Sequence, residues 1–241
     1  MVALISGGAK GIGKSLVEKF VQAGYKVAFC YNKSEEDAAN LCKILNGKSE
    51  LNCIAIKCDV RDYESVKNFV KQAVKVFGSI DVVVNNAGIA NYDLLMDLKV
   101  SEWRNIMSTN LDSVFYMCRE SIPYMLDKGG SIINISSVWG VYGAACEVAY
   151  SASKAGMIGL TKALAQEIGS SKITVNCIAA GAINTDMNKC HSKDTLAEIK
   201  EKTPLGRIGE PQEVADTAVF LASEKANFIT GQVIEVSGGF R

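Results

Sequence analysis

Tyr150 and Lys154 stand four residues apart at the start of a helical pattern, and Ser137 precedes them just after an apolar run, Ser131-Ile132-Ile133-Asn134-Ile135, that reads as a buried strand. On a helix, side chains at i and i+4 share a face, so this spacing sets a phenol and an ammonium a few ångströms apart. A nearby positive charge favours the ionised phenol, whose reference pKa is about 10, and the pair therefore predicts an acid tuned towards neutral pH. The Ser137 hydroxyl, delivered by the strand end, could donate to the same reacting oxygen. Such a group moves a proton on and off an oxygen, and the rest of the chain must supply what it protonates.

At the N-terminal end, the apolar run Val2-Ala3-Leu4-Ile5 leads into Ser6-Gly7-Gly8-Ala9-Lys10-Gly11-Ile12-Gly13 and then an amphipathic stretch from Lys14 to Ala23. Strand, glycine turn and helix in that order make a phosphate site, because glycines let the backbone approach a ligand and a helix N-terminus offers free N–H groups. The spacing is GxxxGxG at Gly7, Gly11 and Gly13; taken alone, such a loop is equally a tight turn. Lys26 to Tyr31 reads as the second strand, ending in Asn32-Lys33-Ser34 with no acid before Glu35. In a dinucleotide fold this strand end faces the adenosine ribose, where an acid selects NAD. Lys10 and Lys33 favour a 2′-phosphate and hence NADP over NAD, unless Lys33 is merely a solvated loop charge.

Further strands are expected at Leu51 to Cys58, Asp81 to Val84, Ile173 to Ala179 and Val233 to Val236, with helices at Ser34 to Leu45, Tyr63 to Phe77, Ser101 to Met125 and Pro211 to Leu221. Asp59-Val60 ends the third strand, where Asp59 either accepts from an adenine amine or caps the helix near Tyr63. Asn85-Asn86-Ala87-Gly88 leaves the β-branched fourth strand with polar and small residues that suggest close approach of a ligand. Asn110 falls where the Ser101 to Met125 pattern is interrupted, so it bonds backbone at a kink or touches water or ligand. The charged Ser192 to Lys202 stretch has the look of a lid over the strand ends. Strands alternating with helices predict one α/β domain over residues 1–241, a doubly wound Rossmann fold with a mostly parallel seven-stranded sheet.

Composition narrows the function classes. With 241 residues, 48% apolar, and 26 basic side chains against 26 acidic ones, the chain carries no net charge and no block of one sign, which argues against nucleic-acid or membrane-surface binding. A strand beginning at Val2 leaves no room for a leader, and no apolar stretch is long enough for a membrane span, so a soluble, cytoplasmic protein is expected. The eight cysteines form no CxxC pair, and His191 is the only histidine, so neither a metal site nor a disulfide framework is expected, and His191 reads as a loop residue.

These motifs, in this order and spacing, resemble the short-chain dehydrogenase/reductases over essentially the whole chain, and among them the 3-oxoacyl-(acyl-carrier-protein) reductase group. Pro204-Leu205-Gly206-Arg207-Ile208-Gly209-Glu210-Pro211 adds to the likeness. The resemblance implies that Tyr150 is the general acid, Ser137 polarises the carbonyl oxygen, Lys154 lowers the Tyr150 pKa and bonds the nicotinamide ribose, and Asn110 holds a proton-relaying water. It implies phosphate and nicotinamide contacts from Gly7, Lys10, Gly11, Ile12 and Gly13, and from Gly181, Ile183 and Thr185. Adenosine contacts are implied for Asn32, Lys33, Ser34, Asp59 and Val60, with Asn86, Ala87 and Gly88 beside them. A homotetramer built on two long helices and the last strand is implied as well, with NADPH-dependent reduction of a 3-oxoacyl thioester in fatty acid synthesis as the activity.

Departures from the family pattern concern the substrate. Ala180-Gly181 stands where Pro-Gly is common, and Ser237-Gly238-Gly239 where Asp-Gly-Gly is usual. Lys128 and Lys172 are the candidate contacts to an acidic carrier protein. Trp139, Tyr142 and Glu147 are the candidate substrate residues. Glu147 replaces a neutral amide frequent in the carrier-protein reductases; it either faces the pocket and favours a cationic ketone over an anionic acyl thioester, or is a surface carboxylate beside a subunit contact. Cys146-Glu147-Val148-Ala149-Tyr150 and Ala180-Gly181-Ala182-Ile183 also look like a branch that reduces a ketone-bearing lysine modification on elongation factor P, and sugar or steroid ketones are further alternatives. A nucleotide sensor without chemistry is disfavoured, since Ser137, Tyr150, Lys154 and Asn110 are all present.

Overall fold

The computed structural model describes residues 1–47, 50–186 and 193–241. Seven strands, β1 (Val2–Ile5), β2 (Lys26–Tyr31), β3 (Cys53–Lys57), β4 (Val82–Asn85), β5 (Gly130–Ser137), β6 (Ile173–Ala180) and β7 (Val233–Val236), form one sheet in the order 3-2-1-4-5-6-7. Every pairing is parallel, as expected when each strand is followed by a crossover helix. Strand alternation divides the core: Ala3, Ile5, Val82 and Val84 face one side of the sheet, Leu4 and Val83 the other.

The first side is covered by α1 (Gly11–Gln22) and α9 (Pro211–Leu221), through Leu16, Val17, Phe20, Val214 and Ala218, and by α2 (Glu35–Leu45) through Ala38 and Leu41. The second is covered by α3 (Tyr63–Phe77), α5 (Ser113–Ser121) and α7 (Val148–Ile168), through Phe69, Val70, Met117 and Met157. Caps set the ends. Asp62 accepts from the Ser65 N–H at the start of α3, and Gly78 closes that helix at φ +79°. Glu210 and Glu213 form a reciprocal capping box around Pro211 at the start of α9.

The interruption expected in the Ser101 to Met125 pattern is real. There α4 (Val100–Met107) passes through a π-helical turn, Ser108–Asp112, into α5, and a short 3-10 turn, Ile122–Tyr124, follows. A π-turn inserts an extra residue and re-aims what it carries, and Asn110 lies buried within this one. The stretch after Ser137 differs from a simple glycine turn: α6 (Val138–Tyr142) intervenes, and Gly140 presses so close to α7 that a Cβ there would lie 2.7 Å from the Lys154 carbonyl carbon. The expected lid includes α8 (Lys193–Lys202), whose Ile199 faces the strand ends; Ser192, Cys190 and His191 lie outside the described residues. No helix of the described residues is long and apolar enough to cross a membrane.

Candidate active site

Sheet order reverses between β1 and β4, and a crevice opens at the carboxyl ends of the strands there, as it must where successive crossovers turn to opposite sides. It is a cleft of about 670 Å³. The β1–α1 turn forms one wall. Gly7 (φ +68°) takes a left-handed conformation and abuts Ala87, and a Cβ on Gly13 would lie 1.9 Å from the Gly7 carbonyl oxygen. Opposite, Asn86 donates its side-chain amide to the Ser6 and Gly7 carbonyl oxygens, while the Ser6 hydroxyl accepts from the Asn86 and Ala87 N–H groups. The polar exit from β4 thus locks the glycine turn in place. Gly11, Ile12, Gly88, Gly181, Ile183 and Thr185 line the same cleft, and the Thr185 methyl lies 3.3 Å from where a Gly11 Cβ would stand.

At the far end the cleft meets Asn32, Lys33, Ser34, Asp59 and Val60, as the sequence indicated. Asp59 is not the helix cap, a role that Asp62 takes. Its carboxylate is held by the Arg61 guanidinium and the Asn32 side chain, which keep it below the usual carboxylate range. Arg61, a cation missed in the sequence, also donates to Asn105 across the cleft at 2.8 Å. Lys10 pairs with Asp37 of α2 at 3.0 Å, so one of the two expected cations brings its own counter-charge.

At the centre, α7 presents Tyr150 and Lys154 to the end of β5. The Tyr150 phenol and the Ser137 hydroxyl line the same end of the cleft, and that hydroxyl accepts from the Trp139 backbone N–H at 3.2 Å. The Lys154 ammonium donates to the Ile135 carbonyl at 2.7 Å and lies 5.7 Å from the Tyr150 ring centre. The expected lowering of the Tyr150 pKa by Lys154 is not seen: burial pushes the phenol up to about 12, the Ser137 hydroxyl acting against it and the charges of Glu147 and Tyr92 with it. Lys154 fails to offset this because its ammonium turns to Ile135, and burial brings it down to about 8. The phenol therefore stays protonated at neutral pH, the state an acid needs before it donates.

Asn110 meets the first of its two expectations. Its amide accepts from the Ile89 N–H and donates to the Ile89 carbonyl and the Ser153 hydroxyl, at 2.9, 2.9 and 3.0 Å. A Cβ on Gly88 would lie 3.4 Å from both the Asn110 Oδ1 and the Lys154 Nζ, so that glycine keeps the two groups in one space.

The substrate candidates part company. Trp139 and Glu147 line the cleft, with Tyr92, Ile199 and Phe240, whereas Tyr142 does not: it is exposed, donates to Glu235 of β7 and has Arg241 over its ring. Tyr142 falls at the end of the short α6, whose turn sends it outward. Glu147 is 5% exposed, which overturns the surface alternative. Lys128 and Lys172 lie at the amino ends of β5 and β6, across the sheet from the cleft of their own chain.

A glycine-walled crevice for a dinucleotide, ending on a buried phenol with a hydroxyl and an ammonium beside it, defines a nicotinamide-dependent carbonyl oxidoreductase. Comparison with known proteins makes the assignment specific. A family model described as Enoyl-(Acyl carrier protein) reductase matches residues 7–241. The 3-oxoacyl-(acyl-carrier-protein) reductase FabG of Staphylococcus aureus is 42% identical over 98% of this chain and 96% of its own, and that of Salmonella typhimurium 41% over 99% and 96%. Among solved structures, a blue fluorescent protein from a metagenomic library in complex with NADPH is 33% identical with a TM-score of 0.94, and a short-chain dehydrogenase/reductase from Serratia marcescens 32% with 0.94; each covers 99% of this chain and 97% of its own. The chain belongs to the short-chain dehydrogenase/reductase family and is an NAD(P)-dependent oxidoreductase acting on carbonyl groups.

Proposed function

We propose that the chain uses NADPH to reduce a 3-oxoacyl thioester, carried on acyl-carrier protein, to the 3-hydroxyacyl product. The observation that carries this reading is the meeting of Ser137, Tyr150 and Lys154 in one cleft with the glycine turn, in a chain about 40% identical to reductases of that name. The glycine turn fits a pyrophosphate: Gly7 and Gly13 let it pack tightly on itself and on Ala87 while Gly11 and Ile12 line the cleft. Lys33 and Ser34, with no acid at the end of β2, fit a 2′-phosphate. Asp59 and Val60 fit an adenine, and Asn86 to Gly88 the ribose side.

Bound there, NADPH supplies the hydride. Ser137 holds and polarises the carbonyl oxygen, and Tyr150 gives it a proton, a step for which a positioned acid contributes about 100- to 10,000-fold. Lys154 would bond the nicotinamide ribose and return a proton to Tyr150. Asn110 fixes Ile89 and Ser153 around that ammonium and holds a water on the relay from solvent. Exposed apolar side chains, Phe115 on α5 and Phe228 before β7, support a homotetramer.

The aminoketone alternative is favoured by a specific observation, the burial of Glu147 in the cleft. NADPH oxidation with acetoacetyl thioester tests the main reading, run beside NADH and with Lys33→Asp. The expected result is turnover of the thioester with NADPH preferred, and a preference at least about tenfold weaker in the variant, the loss of one charge pair. Turnover that prefers NADH in the wild type would contradict it.

A further inference from the structure

Three ionisable side chains lie in order along the cleft face of the α7 start. Glu147 is at the helix's N-cap position, Tyr150 three residues on, and Lys154 four residues beyond that. The Cα atoms of Glu147 and Lys154 are each about one helical turn along the chain from that of Tyr150, one before it and one after. Lys154 is turned to Ile135 and the Gly88–Asn110 space, the side of the cleft where the glycine turn lies. The other flank of Tyr150 is left to Glu147.

The remaining charges of the cleft are elsewhere. Lys10 lies in the β1–α1 turn, where Asp186 acts on it, and Lys33, Asp59 and Arg61 sit at the β2 and β3 ends. Among the described residues, Glu147 is therefore the acidic group closest in the chain to the reacting oxygen's site. Its surroundings are aromatic: Trp139, Tyr92 and Phe240 line the cleft with it, and Trp139 stacks edge-on against Phe240, ring centres 5.4 Å apart. Aromatic walls exclude water and lengthen the reach of a charge.

We infer that Glu147 is a specificity-determining charge filter, which admits ketones that are neutral or bear an ammonium near the carbonyl and turns away those that bear a carboxylate there. The inference rests on the reading of this cleft as a carbonyl-reducing site. It reconciles the two substrate readings: a 3-oxoacyl thioester is neutral around its ketone, the anionic groups of a carrier being far along the arm, so it passes the filter, as an aminoketone does, while a free 3-oxo acid is refused. Glu147 acts on the Tyr150 phenol, as Tyr92 also does, and beyond Tyr150 lies the Lys154 ammonium. All three persist in a Glu147→Gln variant.

The test compares ratios of kcat/KM within each enzyme, so that any change in Tyr150 itself cancels. Ethyl 3-oxobutanoate is the neutral probe, 3-oxobutanoate the anionic one and 5-(trimethylammonio)pentan-2-one the cationic one, with NADPH at pH about 8. Relative to the neutral ester, Glu147→Gln is expected to raise the anionic ketone about tenfold and lower the cationic one about tenfold, the scale of one charge pair in a half-buried site. Glu147→Asp, which keeps the charge, is expected to retain the wild-type order. Ratios within twofold of wild type in Glu147→Gln, with the ester still reduced, would overturn the filter and leave the reading of the site intact. No reduction of any of the three by either enzyme would remove both.

Discussion

Tyr150 is held by its neighbours in the form of a proton donor, and Glu147, three residues before it, is shifted by burial too. Burial lifts this carboxyl from 4.5 to about 7, partly offset by the Trp139 indole N–H. A carboxyl whose folded pKa is raised binds its proton more tightly in the native state. The stability this contributes is full below the unfolded pKa and is lost as pH rises through about 7. Glu147→Gln suffers no such loss. Urea unfolding of the two proteins should therefore show the variant gaining on the wild type between pH 4.5 and 7, by about 1–3 kcal/mol, and levelling off above. A wild type that gained on the variant over that interval would mean that a cation holds the carboxylate. Chemistry at Ser137, Tyr150 and Lys154 was legible in the sequence because i,i+4 spacing is local. Which way Lys154 turns was not, since it depends on the Ile135 carbonyl from another element.

The elements nearest to regular patterns were read residue for residue: β2, α3, α9 and β7 begin and end where their apolar periodicity does. α6 was not, because a five-residue helix has too few turns to show a period. The π-turn at Ser108–Asp112 was visible only as a flaw in a helical pattern, with a buried polar residue inside it. Asn110 explains why the flaw is kept: its amide replaces backbone partners for Ile89 just after the β4 exit. Asn110→Ala would leave those groups unmatched and should cost about 1–3 kcal/mol in chemical denaturation. Asn110→Asp, which keeps the acceptor for the Ile89 N–H and loses the donors, should fall between. An alanine variant as stable as wild type would show that Asn110 does not hold the Ile89 loop.

At the scale of the molecule, the parallel sheet sets seven strand ends side by side, and the reversal between β1 and β4 decides where a dinucleotide can lie. Residues from the β1–α1 turn to Phe240 meet in one cleft. The sequence revealed the contributors that belong to local motifs. Phe240, Ile199, Tyr92 and Arg61 escaped because their places depend on how distant segments cross the strand ends, although Arg61, a charge just beyond Asp59-Val60, carried a faint positional signal. The account turns on proton donation by Tyr150 to a carbonyl at the inner end of that cleft. Its most direct test is the rate of acetoacetyl-thioester reduction by Tyr150→Phe, measured with NADPH binding followed separately. Tyr150→Phe is expected to show a kcat lower by about 100- to 10,000-fold with NADPH still bound; a variant that binds NADPH and keeps its kcat within about tenfold would mean that Tyr150 is not the proton donor.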